Sequence, residues 1–271
     1  MLVTGFQGMS EDGDVTTLGR GGSDASAVAL AAALGATECE IFTDVPAVFT
    51  ADPRVVADAR PLASIRHEEM LEMAEAGAGV MQPRSIELAV AHGIDIHLRS
   101  SFSTEAGTWI RREPARFEGA GASDVAGIAH RRSENLYLVK DIDAAHVAVA
   151  LAERGIALGY LQPELAGLRF TAPGVAVTEV AAALDAVGAS VKVDRELGSV
   201  SVVSLGIARR PDVVVRTLGA LQEAGIEPCL ATTTPGRVSV LVDADTVDDA
   251  VRLLHRTFIA TPVEAGLRAA G

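Results

Sequence analysis

Lysine is almost missing from this chain. Of 271 residues, only Lys140 and Lys192 carry an ε-ammonium, so arginine supplies nearly all the positive charge. Acids outnumber bases, 36 Asp and Glu against 23 Lys and Arg, for a formal net charge of −13. That balance excludes a broad basic face, and with it nonspecific binding to nucleic acid or to an anionic membrane surface. It leaves room for a local basic site that takes a small anion. Aromatic residues make up 4% of the chain, with one Trp, too few for the stacking platforms of single-strand binders. Cysteine is scarce as well: Cys39 and Cys229 lie far apart without metal-ligand spacing. They read as two reduced, buried thiols in a cytoplasmic protein. The longest apolar stretch, 25–36, is too short to span a bilayer and is broken by Ser26 and Gly35. The opening "MLVTGFQGMS" has no basic or apolar leader pattern, so no signal peptide is expected.

What is present is globular: 49% hydrophobic and 22% charged, in a length that fits two domains. "MLVTGF" and "CEIFTDV" read as strands, and "DIHLRSSF" as another. "SDASAVALAAALGA" reads as a helix with Ser23 or Asp24 as N-cap and Gly35 near its end. "HEEMLEMAEAGA" and "PRSIELAVAHG" read as two more, the second with Pro83 at its start and Gly93 at its end. This order predicts an α/β layer with a mostly parallel sheet. Residues 113–124, "EPARFEGAGASD", lack periodicity and read as a linker between domains at 1–112 and 125–271. Beyond it the rhythm changes. "LYLVK", "GLRFTAP", "SVSVVSLG" and "RVSVLVD" each precede an apolar helix, and two of those helices end in near-copies, "LAERGI" (151–156) and "LQEAGI" (221–226). The pattern is an internal repeat of βαββαβ type, the ferredoxin-like unit.

The chemistry concentrates in two segments. In "TTLGRGGSDASAVALAAAL" (16–34), Gly19, Gly21 and Gly22 let backbone approach a ligand, and the helix that follows offers free N–H groups to an anion. Arg20 matches a carboxylate or phosphate bidentately, and Asp24 offers a carboxylate to a magnesium ion or a basic neighbour. No Gly-Lys-Ser/Thr ends the segment, so it is not a P-loop, and a plain turn with a capped helix explains it equally well. In "FTDVPAVFTADPR" (42–54), Asp44 and Asp52 suit a ribose or metal, Phe49 a base and Arg54 a phosphate; turn chemistry and core packing account for the same residues.

Taken together, "VTGFQG", "TTLGRGGSDASAVALAAALGA", "CEIFTDVPAVFTADPRVV", "EEMLEMAEAGAGVMQPRSIELA" and "RSSFSTEAGTWI" closely resemble the C-terminal half of the catalytic domain of aspartate kinases, in the amino-acid kinase superfamily. "VAGIAHRRSE" and the repeat after it resemble that family's tandem ACT domains. The resemblance implies part of a three-layer α/β/α kinase domain followed by two ferredoxin-like ACT units. It implies transfer of the γ-phosphoryl group of ATP, with Mg²⁺, to the side-chain carboxylate of L-aspartate, giving 4-phospho-L-aspartate. By motif, Arg20 and Ser23 would bind aspartate and Asp24 would organise the transfer. Thr43, Asp44, Phe49, Asp52, Arg54 and Gln82 would form the nucleotide side. Phe49 stands where the family usually has Tyr.

The family also begins with a Lys-Phe-Gly-Gly phosphate loop that has no counterpart here. The resemblance therefore implies an N-terminally truncated kinase with impaired stand-alone activity. Removing one preorganised charge at such a centre costs about 2.7–4 kcal/mol, or 10² to 10³ in rate. The truncation also predicts an exposed sheet edge that a partner covers. The alternative is a non-catalytic or pathway-specific ACT subunit paired with a full-length kinase. In the ACT part, Asp141, Gln162, Asp212 and Thr233 fall at effector-loop positions for lysine or threonine. The usual Pro-Gly of those loops is missing from "VKDIDAA" and altered in "RRPDVVV", so pure dimerisation units explain the repeat as well as feedback does. A homodimer through the ACT units, or a hetero-oligomer, is expected. The six histidines have no metal spacing and read as surface or capping residues. Arg111/Arg112, Arg131/Arg132 and Arg209/Arg210 read as solvated.

Overall fold

The computed structural model describes residues 1–113, 125–164 and 167–260; the expected linker lies outside them apart from Glu113. The chain opens with a hairpin, β1 (Gln7–Met9) against β2 (Val15–Thr17), closed by a turn in which Gly13 N–H donates to Ser10 O. The strand expected at "MLVTGF" is displaced to Gln7 onward, because Phe6 sits at φ 70°, outside the extended region. Helix α1 (Gly22–Ala33) follows, capped by Gly21 at φ 72°. Neither Ser23 nor Asp24 is the N-cap. Both lie in the first turn, where the Asp24 carboxylate still complements the positive helix end. Gly35, at φ 69°, ends the helix as expected.

The first sheet is built from β3 (Glu38–Thr43), β4 (Ser64–Arg66), β5 (Asp95–Ser100) and β6 (Thr108–Arg111), in the order β3-β5-β6-β4. β3–β5 and β4–β6 are parallel, but β5–β6 is antiparallel, so the sheet is mixed. β4 and β6 are three and four residues long, too short to carry a readable period. Helices α2 (His67–Glu75) and α3 (Pro83–His92) pack with α1 around Val28, Met70, Met73, Ile86, Ile96, Leu98 and Ile110. β3 forms one edge of this sheet, with Phe42 exposed beside it.

The remainder forms two antiparallel sheets. β7 (Gly127–Arg131) is followed by β8 (Leu136–Lys140), α4 (Ala144–Ala152), β9 (Leu161–Glu164), β10 (Gly167–Thr171), α5 (Val177–Asp185) and β11 (Val191–Arg195). The sheet order β11-β8-β10-β9 is that of a βαββαβ unit, closed around Tyr137, Phe170, Leu151 and Leu184. Next come β12 (Leu197–Val203), α6 (Pro211–Glu223), β13 (Leu230–Thr233), β14 (Arg237–Asp243) and α7 (Val247–His255), which runs into a π-helical turn. This second sheet has the order β13-β14-β12-β7, so its fourth strand comes from upstream of the first unit. β7 pairs antiparallel with β12 over Ser199↔Arg131 to Val203↔Gly127. The near-copied helix ends behave identically. Gly155 and Gly225 are at φ 67° and 71°, and Ile156 N–H and Ile226 N–H donate to Leu151 O and Leu221 O at 3.0 and 2.9 Å. Both are the six-residue closure of a Schellman cap.

Several expectations about single residues change. Cys39 is buried but Cys229 is exposed. His67 and His255 are buried rather than on the surface, and His67 Nε2 meets Ile94 O at 3.0 Å. Arg111 lies over the Trp109 ring at 4.2 Å, and Arg131 is half-buried; neither is simply solvated. Among the described residues no helix is long and apolar enough to cross a membrane.

Candidate functional site

The loop that joins β3 to β4, residues 44–63, leaves the C-terminal end of β3, where α/β sheets expose ligand-binding loops. Its conformation is fixed from both sides. Val48 N–H donates to the buried Thr108 Oγ1 at 2.9 Å, and Leu62 N–H returns to Val48 O at 2.8 Å. Thr50 is a junction: its N–H donates to Arg60 O, its carbonyl accepts from Ile128 N–H of β7 at 2.8 Å, and its hydroxyl meets His255 Nε2 of α7 at 3.0 Å. Arg252 Nε donates to Val55 O at 3.0 Å, and an Arg60 Nη2 donor reaches Ile259 O at 2.7 Å. Ala51, Val55 and Val56 are buried in the same core as Val213, Val251 and Phe258. The loop is thus bolted to the second ferredoxin-like unit.

One face of this loop lines a cavity of about 560 Å³. Thr43, Asp44, Phe49, Asp52 and Arg54, five of the six nucleotide-side residues read from sequence, all border it. Phe49 is half-buried and bridges Pro61; Thr43 Oγ1 donates to Asp44 Oδ1 at 3.1 Å. Arg54 grips Asp52 through Nε and Nη2, the latter 2.8 Å from Oδ2. Hydrogen bonding from that guanidinium holds the Asp52 carboxyl below its usual range. The opposite wall comes from Gly77, Ala78, Gly79 and Val80 and from Ile128, Ala129 and His130 of β7.

A second cavity, about 450 Å³, adjoins the first and shares Asp52, Arg54, Gly77, Ala78, Gly79 and His130 with it. Here Arg20 and Gln82 enter. The Gly-rich turn lies against Gln82 so closely that a Cβ on Gly21 would meet Gln82 Cγ at 2.0 Å. Ser23 and Asp24 border neither cavity. Asp24 faces Cys39 across α1 and β3: its burial raises its own pKa, and burial together with the Asp24 charge pushes the Cys39 thiol up.

The donors at this place do not make a metal cage. Among the described residues no three His, Cys, Asp or Glu side chains converge, and the one carboxylate bordering both cavities, Asp52, is already bound by Arg54. These residues do not fit a magnesium ion held by the protein alone.

Comparison with known proteins decides the family. An amino acid kinase family model matches residues 1–100, and an ACT domain model matches residues 200–258. The aspartokinase of Geobacillus stearothermophilus is 37% identical over 279 residues, covering 99% of this chain and 68% of the relative. This chain belongs to the aspartokinase family. The aspartokinase of Mycolicibacterium smegmatis is 40% identical over 278 residues, covering 95% of this chain and 65% of the relative. The chain thus spans about two thirds of the length of these aspartokinases. Among solved structures, E. coli aspartokinase III in complex with aspartate and ADP matches with a TM-score of 0.76 at 26% identity, over 93% of this chain and 59% of that one.

The effector-loop positions stay separate from the two cavities. Asp141 follows β8 at φ 58°, and Gln162 on β9 accepts from Tyr160 Oη at 2.5 Å. Asp212 opens α6 with its carboxylate on Arg210, Nη2 to Oδ2 3.0 Å, which holds its carboxyl below the usual range. Thr233 lies on β13 opposite Val238. Asp141 and Gln162 belong to the first ferredoxin-like unit, and Asp212 and Thr233 to the second. Sequence reading missed the β7 wall, residues 128–131, altogether. The local signal was Gly77, at φ 109°, where a Cβ would meet His130 O of β7 at 2.4 Å.

Proposed function

We propose that this chain forms the nucleotide and phosphate side of an aspartokinase, which transfers the γ-phosphoryl group of ATP to the side-chain carboxylate of L-aspartate. The observation that carries the reading is the convergence of Arg20, Asp52, Arg54 and Gln82, from three separate segments, on one cavity continuous with the Thr43–Phe49 surface. Thr43, Asp44 and Phe49 take the nucleoside. Arg54, oriented by Asp52, faces the phosphates. Arg20 takes a carboxylate of aspartate, with Ser23 beside it in the first turn of α1. Asp24, in that same turn, organises the transfer through the groups around it rather than by direct contact with the cavity. An aspartate side chain is ionised at neutral pH, so no general base is required, and the rate rests on alignment and charge neutralisation. The aspartate and ADP held by the E. coli relative support this choice of ligands.

The test is calorimetric titration of the chain with ADP, beside an ATP-dependent aspartyl hydroxamate assay. ADP binding weakened at least tenfold by Arg54→Ala supports the nucleotide side. Absence of ADP binding at millimolar concentration overturns it. The exposed β3 edge with Phe42 favours a second reading, in which the chain works paired with another kinase chain, joined through its ferredoxin-like sheets. Hydroxamate formation only after mixing with a full-length aspartokinase supports pairing. Activity of a monomer, as sized by light scattering, contradicts it.

A further inference from the structure

The last turn of α2 is poorly matched to its own helix end. It carries Glu72 and Glu75 and no base, so two carboxylates sit at the negative end of the helix dipole. Such a turn frays unless a cation reaches it from elsewhere. Here the cation comes from the second ferredoxin-like sheet. Arg237, the first residue of β14, pairs through Nη1 with Glu72 Oε2 and, at 2.8 Å, with Glu75 Oε2. Glu72 also accepts from Thr234 Oγ1 at 3.2 Å. That hydroxyl is fixed in turn, accepting from the N–H groups of Gly236 and Arg237 at 3.2 and 3.1 Å. The side chains of Arg237 and Glu72 are each 19% exposed, so water screens their pairing little. The approach is close. A Cβ on Gly236 would meet Glu72 Oε1 at 2.4 Å, so the turn "TTTPG" (232–236) admits the carboxylate because it ends in glycine. From β7, Arg131 donates to Glu75 O, on the backbone of the same helix turn.

This helix end leads straight into the candidate site. Ala76 N–H and Ala78 N–H close the helix on Glu72 O and Met73 O, both at 2.9 Å. The chain then runs from Gly77 to Gln82 in turns, with no helix or strand until α3 starts at Pro83. Gly77, Ala78 and Gly79 border both cavities, and Gln82 borders the second. The place of this wall therefore follows from where α2 stops. Arg237 borders neither of the two cavities, so its influence on them runs through α2.

We infer that Arg237 is a positioning residue of the nucleotide site: it holds the last turn of α2 through Glu72 and Glu75, and so sets the wall at 77–82 that the nucleotide meets. This rests on the nucleotide reading above and adds how that wall is kept in place. Without the guanidinium, α2 frays at its end and the wall occupies its binding position for only part of the time. The apparent affinity for nucleotide then falls by that fraction.

The experiment measures amide hydrogen exchange of the whole chain without nucleotide, and then its titration with ADP and with adenosine. Arg237→Gln is expected to speed exchange of the 76–78 amides about tenfold and to weaken ADP and adenosine each about tenfold, since the wall borders the nucleoside cavity as well. Arg237→Lys, which returns a cation to the same place, should restore most of both. Arg195→Gln, which breaks the exposed pair with Asp243 on the same sheet, should change neither by more than about twofold. A general loss of stability would speed the amides of β5 by the same factor as those at 76–78. That result, or unchanged exchange at 76–78, overturns the proposal. If local exchange rises but ADP affinity holds, while Arg54→Ala loses ADP, the nucleotide reading stands and the positioning role is wrong. If local exchange rises and the parent itself binds no ADP, the hold on the wall stands and the nucleotide reading fails. If Arg237→Gln does not fold, by its melting curve, Gly236→Ala decides, because it keeps every charge and displaces the Glu72 carboxylate: unchanged exchange and ADP affinity there overturn the proposal.

Discussion

Thr50→Val removes one hydroxyl and keeps the shape of a side chain that is 5% exposed. In the parent that oxygen accepts from Arg60 N–H at 3.0 Å and shares a hydrogen with His255 Nε2 at 3.0 Å. Valine leaves both without a partner. His255 is the graver case, since its Nδ1 is already buried with no partner among the described residues. Each stranded polar group costs about 1–3 kcal/mol, and Arg60 is exposed enough for water to recover part of its share, so the expected loss is about 2–4 kcal/mol. The assay is urea unfolding followed by the fluorescence of Trp109, the single tryptophan, which sits in β6 of the first sheet. Thr50 lies in the loop that joins this sheet to α7, so the Trp109 transition and far-UV ellipticity should shift together to lower urea, with little change of slope. Combining Thr50→Val with His255→Leu should cost less than the two single changes added, with a coupling of about 1 kcal/mol or more, because removing both partners strands fewer groups. A Thr50→Val loss below about 0.5 kcal/mol, or strict additivity, would refute the junction as a mechanical link.

Two further outcomes are expected. Burial holds the pKa of His255 below its usual 6.5, so the folded state resists protonation that the unfolded state accepts. Its contribution is complete above pH 6.5 and is lost as pH falls through that value toward the lower folded pKa; stability across that window rises with pH by up to about 1.4 kcal/mol per unit. His255→Gln should flatten that part of the stability curve relative to the parent, and an unchanged slope would remove His255 as the cause. Gly21→Ala should cost about 1–2 kcal/mol for its left-handed φ of 72° and should also lower ADP affinity, since its Cβ displaces Gln82. Normal melting and normal ADP binding in that variant would show that the Gly-rich turn does not shape the cavity.

Local sequence was sufficient wherever the governing physics is local. Proline at the start and glycine at the end fixed α3, because Pro83 lacks the N–H that a first turn leaves free and Gly93 takes φ 66° without strain. The two "GI" helix ends announced a repeat because each codes the same cap. The loop residues 43–54 were legible as a set, since one short segment carries them all and its tight turns hold them on one face.

Tertiary structure decided what depends on distant pairing. No period in β7 says that it pairs with β12 at the edge of the second sheet rather than with an edge strand of the first ferredoxin-like sheet; that pairing joins segments about 70 residues apart. β12 is buried on both faces although Ser199 and Ser201 alternate with Val200 and Val202, because its serine face borders an internal cavity of about 570 Å³ whose far walls, Leu158 and Tyr160 among them, the strand itself does not encode. Arg131 read as a solvated residue for the same reason. Its environment is set by Gly77, Glu75 and Glu134, which are brought to it by the fold, and burial and field are properties of that assembly rather than of the residue.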